Sequence, residues 1–212
     1  MGLSVTQFVN GKWRQNCYLI ANERGDALIV DPGSQAEDLA ALIDEHRCRV
    51  HAILNTHGHY DHVGAVEPLK RRQAARFYMH GADEPLLRRA NLYRMMFESR
   101  EVIQIPAIDQ DVSCLPPKFE VGPFSISWIA TPGHTDGSIC LLLEDYLFSG
   151  DTLMRNAVGR TDLPGGNKEK LQDSIKKLME LPKDMVLCGG HGERSTLKTE
   201  LSPGSRAWNF LQ

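Results

Sequence analysis

Apolar and polar positions alternate along PFSISWIAT (123–131). Phe124, Ile126 and Trp128 oppose Ser125 and Ser127, a period of two that predicts a half-buried strand. Shorter apolar runs bounded by turn residues predict further strands at NCYLIA (16–21), ALIVD (27–31), VHAILNT (50–56), RFYMH (76–80) and MVLC (185–188). ICLLLEDYLFSGD (139–151) predicts a hairpin turning at Glu144 and Asp145. Helical spacing takes over elsewhere. Leu39, Leu42, Ile43 and His46 form one stripe, opened by a capping-box pattern of Ser34 and Glu37 after the Asp31-Pro32-Gly33 break. Leu86, Leu87, Ala90, Tyr93 and Phe97 form a second stripe, and Leu171, Ile175 and Leu178 a third. Residues 99–118, with Pro106, Pro116 and Pro117, predict irregular chain forming a flap over a cleft. Helices interspersed with clustered strands and a hairpin predict a layered α/β domain, α+β in some schemes.

Composition narrows the function classes. The 212 residues suit one well-buried domain spanning 1–212. Hydrophobic residues make up 42% and charged residues 24%, an ordinary globular mixture. The formal net charge is -3, with Lys and Arg scattered, so no basic stripe marks a nucleic-acid partner. The N-terminus has neither a signal-peptide apolar core nor the look of a transit peptide, and no apolar run is long enough to span a membrane. Five widely spaced cysteines without a CxxC predict free thiols in a reducing compartment, and so a cytoplasmic chain.

The chemistry gathers where strands end. NTHGHYDHVG (55–64) places His57, His59, Asp61 and His62 on the loop leaving a predicted strand, and a short turn lets such side chains converge. Imidazoles and a carboxylate are ligands for borderline-soft divalent metals such as zinc. TPGHTDG (131–137) adds His134, FSGDTL (148–153) adds Asp151 and CGGHGE (188–193) adds His191, each just beyond a strand and a glycine. Five His and two Asp are too many for one four-coordinate metal and suit two. Cys188 reads as packing at a strand end rather than as a nucleophile.

This set, with NCYLI and IVDPG upstream, resembles the metallo-β-lactamase superfamily over nearly the whole chain. The resemblance implies a four-layer αβ/βα sandwich with the metal site on one edge. It also implies that His57, His59 and His134 hold one metal, that Asp61, His62 and His191 hold the second, and that Asp151 bridges them. Two Zn2+ per chain are expected, with Fe and Mn also suited to these ligands. Paired cations lower the pKa of a bridging water toward neutrality, so attack on a carbonyl needs no separate general base. Asp61 and Asp151 are then the expected catalytic residues, through the hydroxide that the metals hold.

Within the superfamily, GRTDLPGG (159–166) and the terminal NFLQ look most like the short glyoxalase II-like hydrolases. A small-molecule thioester, S-D-lactoylglutathione or a similar hydroxyacyl thioester, is the implied substrate, and a thiolate leaving group lessens the need for a general acid. The glutathione-gripping groups of full-length glyoxalase II do not match here. Arg160 stands where a Lys is expected and Asp162 where a Tyr is. Gly192 and Glu193 follow His191 with no Tyr near, and a chain ending at Gln212 leaves no room for a C-terminal helical domain. Arg160 reads equally as a substrate-carboxylate ligand or as an ion pair with Asp162. Persulfide dioxygenases share TPGHTDG and a GRTDF segment, and that resemblance would make His57, His134 and Asp151 the ligands of a single iron. Lactonases, β-lactamases proper and a non-catalytic metal-binding domain are the remaining alternatives.

Overall fold

A computed structural model describes residues 2–212. In chain order the elements are β1 (Ser4–Asn10), β2 (Gln15–Ala21), β3 (Asp26–Val30), α1 (Ala36–Glu45), β4 (Arg49–Leu54), α2 (Tyr60–Val63), α3 (Val66–Gln73) and β5 (Arg76–Met79). Next come α4 (Glu84–Arg88), α5 (Ala90–Phe97), β6 (Gln110–Asp111), β7 (Lys118–Val121), β8 (Phe124–Ala130), β9 (Ile139–Leu143) and β10 (Tyr146–Gly150). The chain closes with β11 (Leu153–Met154), β12 (Ala157–Val158), α6 (Lys168–Leu178), β13 (Val186–Gly189), β14 (Ser195–Thr196), α7 (Leu197–Glu200) and α8 (Arg206–Phe210).

Two sheets form, ordered β1-β2-β3-β4-β5-β6 and β14-β13-β10-β9-β8-β7, with β11 and β12 as a separate ribbon. The period of two explains how they stack. In β2, Tyr18 and Ile20 enter the cluster between the sheets, where they join Leu28, Leu54, Phe119, Ile126, Leu141 and Phe148. Their neighbours Cys17 and Leu19 point the other way, into a cluster shared with Leu39 and Ile43 of α1 and Leu69 of α3. On the far side of the second sheet, Cys140, Leu147 and Leu187 meet Leu171, Ile175 and Leu178 of α6. Strands apolar on both faces are buried on both faces. The result is helices, sheet, sheet, helices, the expected four-layer sandwich. No helix among the described residues is long and apolar enough to cross a membrane, and all five cysteines are free.

Topology gathers the chemistry-bearing loops on one edge. β3 and β4 run parallel, as do β10 and β13, and β8 shares the direction of β10 because each is antiparallel to β9. The C-terminal ends of β3, β4, β8, β10 and β13 therefore face one way, and a bond from Ile139 N to Thr56 O (2.9 Å) joins the two sheets at that edge.

Three expectations need correction. Ser34 does not cap α1: the N-cap is Gln35 in left-handed conformation (φ 56°), with no side-chain cap. Its amide instead accepts from Gly11 N (3.1 Å) and donates to Asp38 (2.8 Å), so the loop is held by the β1–β2 turn rather than by a capping box. The stripe from Leu86 to Phe97 is two helices, because the chain tightens at Arg89 (φ -99°, ψ 7°), whose N–H bonds Leu86 O. Residues 99–118 are not a flap. Ile103, Ile105 and Ile108 pack on the outer cluster, Asn91 brackets Ile103 with two hydrogen bonds, and Gln110–Asp111 extends the first sheet beside β5.

Candidate metal centre

Every His and Asp singled out at a strand end arrives at the same cleft. His57, His59 and His134 form one cluster, and Asp61, His62 and His191 another, with ligand-type atoms within 4.8 Å of each other in each. Asp151 touches both: Oδ2 lies 3.5 Å from His134 Nε2 and 3.6 Å from His191 Nε2, and Oδ1 lies 3.7 Å from His62 Nε2. Asp61 Oδ2 stands 3.8 Å from His62 Nε2 and 3.6 Å from His191 Nε2.

These gaps are too long for hydrogen bonds. They are close to the ligand-to-ligand spacing of about 3.3–3.6 Å around a tetrahedral cation with bonds near 2.0–2.2 Å. His57 Nε2, His62 Nε2 and Asp151 Oδ1 are buried without a hydrogen-bond partner. A buried polar atom costs about 1–3 kcal/mol when left unpaired, so three of them among these two clusters mark a place for cations. The donor set fits a divalent metal.

The outward ring nitrogens of His134 and His191 are held by backbone carbonyls, and His134 Nε2 lies 2.9 Å from His59 Nδ1. His134 Nδ1 meets Arg160 O (2.9 Å) and His191 Nδ1 meets Trp13 O (3.0 Å). A carbonyl only accepts, so each Nδ1 carries the proton and each Nε2 lone pair faces the cleft. His62 Nδ1 faces Asp31 Oδ2 (3.1 Å), and Asp31 also accepts from Thr56 N (2.7 Å) and Thr56 Oγ1 (2.6 Å). Burial, then the neighbouring imidazoles, depresses His57 and His59 well below the usual histidine range, leaving both neutral as ligands must be. Burial alone would also lower His62, but Asp61, Asp31 and Asp151 outweigh it and raise it to about 9. Burial would raise Asp151, but His191, His62, His134 and His59 hold it at about 2. Two imidazoles are thus ready to donate lone pairs, and Asp151 is a carboxylate at neutral pH.

Glycine is required beside this carboxylate. A Cβ on Gly190 would strike Asp151 Oδ1 and lie 2.8 Å from His62 Cε1. Gly190→Ala is expected to push the Asp151 carboxylate aside and weaken metal binding by about tenfold or more, the scale of a disturbed ligand support. A metal titration of the purified variant checks this.

The cleft of about 160 Å³ has walls that the sequence did not mark: Trp13, Tyr60, Phe97 and Leu163. Trp13 Nε1 donates to Tyr60 Oη (2.5 Å). Arg160 also lines the cleft, but its guanidinium is paired twice with Asp162 (2.7 Å each), and its carbonyl orients His134. Asp31 and Asp83 were missed as well. Asp31 ends the predicted strand ALIVD with no glycine before it, so it carries only part of the signal that picks out Asp151; Asp83, 25 residues beyond Gly58, carries none of it. Cys188 is buried between the sheets and burial pushes its thiol up to about 12, in line with a packing role.

The sequence profile of the metallo-beta-lactamase superfamily matches residues 10–191. The chain is 33% identical over 199 residues to the hydroxyacylglutathione hydrolase GloC of Haemophilus influenzae, across 89% of this chain and 90% of GloC. Its fold superposes on the B3 metallo-beta-lactamase BLEG-1 with a TM-score of 0.88 at 32% identity, covering 93% of this chain and 96% of that one. It also superposes on TTHA1623 in a di-iron-bound form with a TM-score of 0.82 at 33% identity, covering 94% and 99%. By sequence and by fold, the chain belongs to the metallo-β-lactamase superfamily.

Proposed function

We propose that this chain is a metal-dependent hydrolase acting on a small-molecule thioester, with S-D-lactoylglutathione or a similar hydroxyacyl thioester as the first substrate to try. The observation that carries the reading is the meeting of two ligand clusters at Asp151, with three buried donor atoms left unpaired among them. Similarity to GloC, a hydroxyacylglutathione hydrolase, supports the substrate class.

In this reading His57, His59 and His134 would hold one ion, Asp61, His62 and His191 would hold the other, and Asp151 would be a ligand shared by both clusters. Zinc is the first choice, with iron and manganese suited to the same ligands. When bound, such ions supply an acidified water and polarise a carbonyl at neutral pH. The chain contributes placement. The Arg160 and Trp13 carbonyls fix the His134 and His191 tautomers, while Trp13, Tyr60, Phe97 and Leu163 wall one side of the cleft. No protein nucleophile is called for, and the thiolate departs without a dedicated acid.

Metal content per chain, measured alongside turnover of S-D-lactoylglutathione and of glutathione persulfide, tests the proposal. Two ions per chain with thioester loss and no oxygen uptake are expected; one iron with oxygen consumption overturns it. His191→Ala is expected to lose the second ion and most of the activity, at least about tenfold. Wild-type turnover in that variant would exclude a working second ion.

A further inference from the structure

Beside the metal cleft lies a second cavity of about 190 Å³, lined by Asp83, Leu86, Arg89, Tyr93, Asp136 and Pro164 among others. Its walls continue those of the cleft. Tyr93 and Phe97 stand four residues apart on α5, and such positions are surface neighbours on a helix. Thr135 and Asp136 follow the cleft's His134, and Pro164 follows its Leu163. Three separate stretches of chain therefore pass from one cavity into the other. Together the two reach the roughly 300 Å³ at which small-molecule sites begin.

An account of the polar groups shows what the second cavity is suited to hold. Its acids are already engaged. Asp83 accepts from Gly58 N (2.8 Å), Gly137 N (2.7 Å) and Thr135 Oγ1 (2.7 Å), and Asp136 pairs with Lys170 Nζ (2.9 Å). The side chains of Arg89 and Tyr93 take part in no hydrogen bond or ion pair among the described residues. What the cavity offers is a planar cation and a hydroxyl, one helical turn apart, beside the apolar Leu86 and Pro164.

Building on the thioester-hydrolase reading above, we propose that the substrate extends from the metal cleft along α5 and ends in a carboxylate held by Arg89 and the Tyr93 hydroxyl. A guanidinium fork matches a carboxylate geometrically. A doubly charged phosphate suits the cavity less well, because the Asp83 and Asp136 carboxylates line the same space.

The test uses inert thioethers in place of the thioester, ending in a carboxylate, in the matching amide or in a phosphate, with a short and a longer polymethylene spacer. Their binding to metal-loaded protein is read by calorimetry. The carboxylate is expected to bind about tenfold or more tightly than the amide, the scale of one charge-assisted hydrogen bond. Arg89→Ala should erase that preference and leave amide binding unchanged, and Tyr93→Phe should remove part of it. Equal binding of carboxylate and amide overturns the proposal, as does equal weakening of both by Arg89→Ala. Preference for the phosphate overturns the choice of carboxylate. The same pairs made as thioesters should show the preference in KM rather than kcat. If none is turned over, the hydrolase reading fails while the thioether series still decides the role of Arg89.

Discussion

Asp151→Ala should abolish turnover, by about a thousandfold, and empty at least one of the two proposed metal positions. The carboxylate reaches toward both clusters, at 3.5 Å from His134, 3.6 Å from His191 and 3.7 Å from His62. Alanine removes a ligand and also the counter-charge for the surrounding imidazoles. Transition-state stabilisation by a bound ion amounts to several kcal/mol, and each 1.4 kcal/mol is tenfold in rate. Asp151→Asn separates shape from charge. It fills the same volume, yet it is neutral and turns an amide N–H₂ toward an imidazole lone pair, so it should fall close to the alanine variant. Metal per chain and kcat/KM, measured on both variants after loading with excess zinc, check the pair. Near-wild-type turnover in either would remove Asp151 from the centre.

Much of this centre is legible in the chain because each candidate sits just past a strand, and parallel neighbours bring such positions to one edge. His134, Asp151 and His191 follow β8, β10 and β13 in this way. The core is legible for a similar reason: strands with apolar residues at both parities, as in Tyr18 and Ile20 against Cys17 and Leu19, need cover on both faces. What the pattern hides is tertiary. Trp13 sits in a turn with no apolar period around it, and it joins the cleft because its carbonyl meets His191, 178 residues away. β1 has little alternation of its own, being partly exposed along most of its length, and is held by its register with β2. Phe97 fits the helical stripe yet is 40% exposed. Its spacing is that of a core residue while its place is the wall of the cleft, a distinction that periodicity does not carry.

Asp83→Ala should unfold at a temperature lower by about 10 °C and bind metal more weakly, although Asp83 belongs to neither ligand cluster. Its carboxylate ties the His57–His62 loop, through Gly58 N, to the His134 loop, through Gly137 N and Thr135 Oγ1. Removing it leaves two amides unpaired, since Thr135 retains Ser138 Oγ at 2.7 Å. At about 1–3 kcal/mol per buried unpaired group the loss is about 2–6 kcal/mol, and a chain of this size shifts by roughly 2–4 °C per kcal/mol. Gly137 admits no larger residue there, because its Cβ would lie 2.6 Å from Asp83 Cγ, and a Cβ on Gly58 would be crowded by Asp83 at 3.1 Å. Burial raises the Asp83 pKa despite its three donors, so the folded state holds its proton to a higher pH than the unfolded chain. This group's contribution to stability therefore falls as pH climbs from the unfolded carboxylate's value, about 3.9, through the raised native value. Asp83→Asn should flatten that slope while breaking one of the two amide bonds, because its N–H₂ then faces a backbone N–H. Thermal melts across pH and zinc titrations of both variants separate the two effects. A melting temperature and zinc affinity unchanged in Asp83→Ala would mean that the two loops are held together by the sheets alone.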